Sequence, residues 1–337
     1  MSSERYSRQI LFAPIGRQGQ ERLARGGVVI VGCGALGTVQ ASLVARAGVG
    51  RLRLVDRDYV EESNLQRQFL FDEEDAARRL PKAVAAERKL RSVNSEIQIE
   101  GVVADLTARN AEELVRGFNL ILDGTDNFET RYLLNDLSLK LRIPWIYGAV
   151  VGSQGVTMTV LPGRTACLAC VLPKPPQGAQ ETCDTVGVIG SAAAWTASLE
   201  ATEGLKILLG RENELHGALL SYDIWKNRGQ RIRPQRDAEC RACGQEDFAY
   251  LRDAASHPTV LCGRNAVQIR PAEPRALDLA ELRKRLEAVG SVRGNEYLLQ
   301  CRLEPCEMTV FADGRAIFKG TDQESVARGL YARYIGS

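Results

Sequence analysis

"GGVVIVGCGALGTVQASLVARAGVG", residues 26–50, decides the fold. Residues 28–31 are a continuous apolar run, short enough for a strand buried on both faces. Gly32, Gly34 and Gly37 then form a GxGxxG turn, and a helix is predicted to start between Ala35 and Gly37. Glycines let the backbone approach a phosphate, while a helix N-terminus offers free N–H groups and positive potential. "RLRLVD" reads as a second strand ending at Asp56, where a carboxylate can accept hydrogen bonds from ribose hydroxyls. On these residues alone a nicotinamide dinucleotide is the default ligand.

The same alternation continues outward. A helix is predicted over residues 82–93, a strand in "IQIEGVVA" (97–104) and a helix in "TARNAEELVRGF" (107–118). "NLILDGTDN" (119–127) is a fourth strand closing on a polar turn, residues 128–143 a helix, and "PWIYGAVVG" (144–152) a fifth strand. Strands alternating with helices at this spacing imply a parallel sheet covered on both faces. After Gln154 the pattern changes to a further strand, a CxxC knuckle, a Pro/Gly-rich stretch, a helix over 190–209 and paired strands in 216–234. A second set of strands and helices begins near Ala249, with a hairpin turn at Asp313-Gly314. The expected fold class is α/β: a Rossmann-like, mostly parallel sheet over residues 1–248, plus a small C-terminal α+β domain over 249–337.

Composition narrows the function classes. The chain has 337 residues and a net charge of +2, which gives no reason to expect a nucleic-acid or membrane partner. The N-terminus lacks the apolar core of a signal peptide. The apolar stretch at residues 190–210 is interrupted by Glu200, Glu203 and Lys206, so it predicts no membrane span. Of nine cysteines, four fall in two CxxC pairs, which favours metal or redox chemistry over a disulfide framework. A cytoplasmic protein is expected.

Residues beyond Asp56 argue against hydride transfer. "SNLQRQF" (63–69) puts Asn64, Arg67 and Gln68 in one short loop, Lys82 opens a helix, and "GTDN" places Asp126 and Asn127 at a strand's carboxyl end. A nicotinamide pocket needs no such cluster of cations. Attack on a phosphate ester does, because negative charge crowds onto the phosphoryl oxygens, and an aspartate beside it can hold the Mg²⁺ that accompanies ATP. Taken singly each residue reads as a surface charge; gathered in βα loops at one sheet edge they read as a site.

The order RYSRQI, GxGxxG, DxD, SNLQRQF, PK, GTDN, two CxxC pairs and a loop cysteine resembles the ThiF/MoeB/HesA family, prokaryotic relatives of the ubiquitin-activating enzymes. The likeness runs from about Arg5 to Gly244. It implies adenylation of the C-terminal glycine of a ubiquitin-like sulfur-carrier protein ending in Gly-Gly, for thiamine or molybdopterin-type biosynthesis, with ATP and Mg²⁺. By this resemblance Gly32, Gly34, Ala35, Asp56, Ser63, Asn64, Leu65, Gln66, Arg67 and Lys82 would contact the nucleotide. Asp126 would bind Mg²⁺ with Asn127 nearby, and Arg8 would reach into the partner subunit's ATP site of a homodimer. A cysteine desulfurase is the implied sulfur donor. Cys33 and Ala35 depart from the commoner family pattern, though Ala35 is small enough to keep the phosphate approach.

Cys167, Cys170, Cys240 and Cys243 could together offer four thiolates to a structural Zn²⁺; a redox reading lacks the thioredoxin context. Cys183 lies shortly before the helix predicted at Gly190, where a thiol can become more nucleophilic. In family terms it would join the carrier covalently during sulfur transfer; otherwise it is an incidental loop cysteine. Cys33, Cys262, Cys301 and Cys306 read as packing residues, and His216 and His257 receive no role. Rival readings are an NAD(P)-dependent oxidoreductase, a non-catalytic docking module, and ATP-dependent modification of tRNA or a peptide. For the C-terminal domain, which lacks the reactive-cysteine loop of a rhodanese, carrier docking and a stabilising appendage both stand.

Overall fold

The protein was analysed as a computed structural model, which describes residues 4–176, 185–252, 259–261, 265–271, 276–304 and 306–336. Cys183, Cys262 and His257 therefore lie outside the described residues. The chain packs into two compact units, one of residues 1–73 and 81–254, the other of 74–80 and 255–337.

The first unit opens with α1 (Ser7–Leu11) and α2 (Gly16–Arg25) and then alternates. β1 (Gly27–Val31) leads to α3 (Ala35–Arg46), and β2 (Arg51–Asp56) to α4 (Glu73–Ala77), which belongs to the second unit from Glu74 onward, and α5 (Lys82–Val93). β3 (Gln98–Val103) is followed by α6 (Ala111–Val115), and β4 (Leu120–Asp123) by α7 (Phe128–Leu141). β5 (Trp145–Val151), β6 (Gln154–Val160), α8 (Leu168–Val171), α9 (Gly190–Leu208), β7 (Leu219–Asp223), β8 (Arg228–Ile232) and α10 (Ala249–Arg252) complete it.

These strands form one sheet in the order β3-β2-β1-β4-β5-β6-β7-β8. The pairs from β3 to β5 are parallel and those from β5 to β8 antiparallel. The change of pattern at Gln154 is thus a change of strand direction within a single sheet. β1 is buried along its whole length between β2 and β4, as its unbroken Val/Ile run requires. The chain order reverses at β1, so the crevice beyond its carboxyl end is the place where α/β sheets bind ligands. Val29, Ile121, Trp145, Tyr147 and Val160 belong to one buried apolar cluster, which extends to the four knuckle cysteines.

The N-terminal arm is less exposed than its composition suggests. Tyr6 is buried, and its hydroxyl accepts a hydrogen bond from Asn94 Nδ2 at 2.8 Å. The predicted helix over 107–118 shrinks to α6: Asn110 Oδ1 accepts the N–H of Thr107 in a turn before it, and Gly117 turns left-handed after it.

The second unit carries a separate antiparallel sheet of β9 (Thr259–Leu261), β10 (Ala266–Ile269), β11 (Val292–Gly294), β12 (Leu298–Leu303), β13 (Cys306–Phe311) and β14 (Ala316–Lys319). α11 (Leu279–Glu287) and α12 (Glu324–Tyr334) supply Leu282, Leu286, Ala327 and Tyr331 to its core. Asn295 Nδ2 donates to the carbonyls of Arg78 and Arg79, which ties residues 74–80 into this unit. A groove of about 550 Å³ there, lined by residues such as Arg302, Cys306 and Lys319, contains none of the predicted site residues. No helix among the described residues is long and apolar enough to cross a membrane.

Candidate active site

The phosphate turn is built by close backbone approach. Gly32 has φ +90°, and a β-carbon there would lie 2.5 Å from the carbonyl oxygen of Gly124. One on Gly37 would lie 1.8 Å from the carbonyl oxygen of Gly32. Only glycine satisfies both positions, so the β1–α3 turn and the turn after β4 sit against each other. Gly34 caps α3 and Ala35 begins it.

Asp56, at the end of β2, accepts hydrogen bonds from the N–H of Cys33 at 2.6 Å and of Asp58 at 2.7 Å. It is thereby fixed beside the phosphate turn. Burial raises its carboxyl above the ordinary carboxylate range, while the charge of Lys82 works the other way. Lys82 is 5% exposed and stands 3.6 Å from Asp58, whose carbonyl accepts the Lys82 N–H at 2.9 Å. The predicted "DxD" and "PK" segments therefore converge, although they lie far apart in sequence.

The 63–69 loop is held from both ends. Asn64 Oδ1 accepts from the N–H of Glu61, and the Asn64 carbonyl accepts from the N–H groups of Arg67 and Gln68. At the other end the Phe69 N–H donates to Thr38 Oγ1 on the first turn of α3. Arg67, a half-buried residue, donates from Nη1 to the Ser63 carbonyl at 2.7 Å. Ser63 and Gln66 are exposed and Leu65 half-buried. The loop is thus tied to the helix whose N-terminus forms the phosphate turn.

Asp126 is exposed, two residues past Gly124. Asn127 caps α7 by accepting the N–H of Thr130 at 2.9 Å, so its side chain is engaged structurally. Arg57 was not singled out in the sequence. Burial opposes its charge, but Asp105, Asp58, Asp126 and Asp56 around it outweigh that and hold it firmly protonated. Its position between the two aspartates of "DRD" was the available signal.

Arg8 stands apart from this constellation. It is exposed on α1 and makes no ion pair among the described residues. Its neighbour Gln9 donates to the Ala47 carbonyl at the C-terminal end of α3. The 12 residues of α3 span roughly 18 Å, so the arm is anchored at the end of that helix remote from the phosphate turn.

The four knuckle cysteines do converge. Their sulfurs lie within 4.8 Å of one another, with Cys167–Cys170 at 3.8 Å, Cys167–Cys240 at 3.7 Å and Cys170–Cys243 at 3.3 Å. A tetrahedron with metal–sulfur bonds of about 2.3 Å has sulfur–sulfur edges of roughly 3.8 Å, so the set is shaped for one ion. Cys33, by contrast, is buried within the phosphate turn, and Cys301 and Cys306 are buried in the second unit. His216 lies against buried Glu203 at 3.5 Å, outside the nucleotide edge.

Comparison with known proteins gives a consistent set of likenesses. Residues 6–242 match the ThiF family. The chain is 47% identical over 337 residues to the "Sulfur carrier protein ThiS adenylyltransferase" of Bacillus subtilis, covering 98% of this chain and 99% of that one. It is 40% identical over 249 residues to the "Sulfur carrier protein adenylyltransferase" of Thermus thermophilus, covering 72% of this chain and 91% of that one. The crystal structure of E. coli MccB superposes with a TM-score of 0.63 at 23% identity, covering 72% of this chain and 73% of that one, which is a likeness of fold.

Proposed function

This chain belongs to the ThiF family, and we propose that it is an ATP-dependent adenylyltransferase that activates the C-terminal carboxylate of a ubiquitin-like sulfur-carrier protein. The observation that carries the reading is the convergence of Lys82 and the Asp56–Asp58 pair on the glycine turn between β1 and α3. Asp56 beside the glycine turn would also suit a nicotinamide dinucleotide; the buried cation of Lys82 next to it is the part that hydride transfer does not call for.

We assign the roles as follows. The N–H groups at Gly34 and Ala35 and the charges of Lys82 and Arg67 receive the triphosphate, with Asn64 holding the loop that carries Arg67. Asp56 faces the ribose. Ser63, Leu65 and Gln66 complete the nucleotide wall. Asp126 would hold Mg²⁺: an exposed carboxylate offers the hard oxygen donor that this ion takes, and Mg²⁺ would neutralise phosphate charge. Arg8 belongs to the partner's site in a homodimer; its anchorage at the far end of α3 supports action across an interface.

The chemistry follows from charge. The carrier's carboxylate is already ionised at neutral pH, so no general base is required. Its oxygen forms a bond to the α-phosphorus as the bond to the β-phosphate oxygen breaks, releasing pyrophosphate and leaving a carrier acyl-adenylate. The cations offset the charge that develops on the leaving group. A sulfur nucleophile then displaces AMP; we assign Cys183 an accessory part in that step and a cysteine desulfurase the supply of sulfur. The four-cysteine set fits Zn²⁺ as a closed structural site. The reaction is assigned to the cytoplasm.

Mass spectrometry of a Gly-Gly-ended carrier incubated with protein, ATP and Mg²⁺ tests this reading. The adenylylated carrier should appear, and it should depend on the terminal glycine. A carrier that stays unmodified across a panel of such proteins removes the proposal.

A further inference from the structure

Under the nucleotide edge of the sheet lies a polar node that none of these roles uses. Gln40 comes from α3, Asp123 from the end of β4, Arg131 from α7 and Glu200 from α9; all four are buried, and Glu200 is 0% exposed. Gln40 Nε2 donates to the Asp123 carbonyl at 2.9 Å and to Glu200 Oε2 at 2.6 Å. Asp123 Oδ1 accepts from the N–H and hydroxyl of Thr125, and Arg131 Nη2 donates to the Thr125 carbonyl at 2.8 Å. One amide therefore ties the phosphate-turn helix to the strand end that begins the Gly124–Asn127 turn, and one carboxyl from α9 holds that amide.

Such a node is costly, because apolar side chains of similar volume would bury at less expense. Each member also keeps one atom without a hydrogen-bond partner among the described residues: Gln40 Oε1, Asp123 Oδ2, Arg131 Nε and Glu200 Oε1. β5 is shaped around it, since a β-carbon on Gly148 would lie 2.1 Å from Glu200 Oε1. α9 meets the site at its other end as well: a β-carbon on Gly190 would lie 2.9 Å from the Gln66 carbonyl oxygen, in the loop that carries Arg67.

We propose that Glu200 is a positioning residue for adenylation: through Gln40 it sets the phosphate turn, which would receive the triphosphate, against the Gly124–Asn127 turn that carries Asp126, the residue that would hold the cation. The proposal rests on the adenylation reading above. Asp123, Arg131 and Tyr147 are the ionisable groups that face Glu200. Burial pushes its carboxyl well above the ordinary range, Asp123 adds to this, and Arg131 and the Gln40 bond oppose it. Glutamine is therefore its closest substitute.

The test is calorimetric titration of the full-length protein with ATP in the presence of Mg²⁺ and no carrier, with thermal melting to confirm folding. Glu200→Ala should weaken ATP binding by roughly 10–100-fold, as loss of a group that orients a metal site does. Glu200→Gln should restore it, and the KM for carrier should move in neither variant. Should Glu200→Ala fail to fold, Gln40→Met, which deletes both bonds at similar volume, carries the same expectation for ATP. Unchanged ATP affinity in the folded variant, or Glu200→Gln binding as weakly as Glu200→Ala, overturns the proposal. A wild-type protein that binds no ATP would instead remove the adenylation reading itself.

Discussion

Lys82 concentrates the argument at the scale of single residues. The charge of a lysine only 5% exposed persists because Asp58 lies 3.6 Å away, and a nucleotide phosphate would add a second counter-charge. Lys82→Ala should lower carrier-dependent turnover by about 10²-fold or more, measured as acyl-adenylate formation; a smaller effect than tenfold would remove it from the site. Asp123 carries a second prediction. Burial raises its pKa from 3.8 to about 6, against the pull of Arg131. The folded state then holds a proton that the unfolded state releases, so this contribution to stability is lost as pH rises through that window. It amounts to roughly 3 kcal/mol. Asp123→Asn should flatten the fall in melting temperature between about pH 4 and 6; an unchanged slope would contradict the assignment. Residues of contiguous motifs (Gly32, Asp56, Lys82, Asp126) were legible in the sequence because βα turns put short segments directly at the sheet edge. Gln40, Arg131 and Glu200 were not, since the node joins Gln40 to partners 83 and 160 residues away and obeys no local spacing.

The elements extend this contrast. β1 and α3 were readable from an apolar run and a glycine turn, whereas α2 was not anticipated. It buries only Gly19, Gln20 and Leu23, so its helical period is marked by charged residues at Arg17, Glu21 and Arg25 rather than by an apolar stripe. Direction within the sheet was partly legible: the intervening helices marked the strands up to β5 as parallel, whereas the reversal at β5–β6 follows from a connection of two residues between Val151 and Gln154, too short for a crossover. α1 is where an element makes a functional prediction. If Arg8 serves the partner's site, Arg8→Ala and Asp126→Ala are each inactive, yet their mixed dimer rebuilds one intact site. Random mixing should then recover roughly a quarter of wild-type activity. Activity that stays at the single-variant level after subunit exchange would place Arg8 in its own site or nowhere.

For the whole molecule, the cysteine set joins α8 to the segment after β8, and its sulfurs belong to the same core as Trp145 and Tyr132. Purified protein should carry one zinc per chain by metal analysis, and Cys240→Ser should lose it and melt lower. Metal-free wild type with an unaltered melting curve would show the ion to be dispensable. The catalytic assignments all lie in the first unit, which the family match covers, while the role of the second unit follows from no motif in its sequence. Isotope exchange between pyrophosphate and ATP tests the central claim most directly, because it reports reversal of the carboxylate's attack on the α-phosphorus and nothing downstream. With Mg²⁺ and a Gly-Gly-ended carrier, labelled pyrophosphate should enter ATP, and removing the carrier should stop it. Exchange that never appears with any such carrier, in protein shown to be folded, would contradict the account.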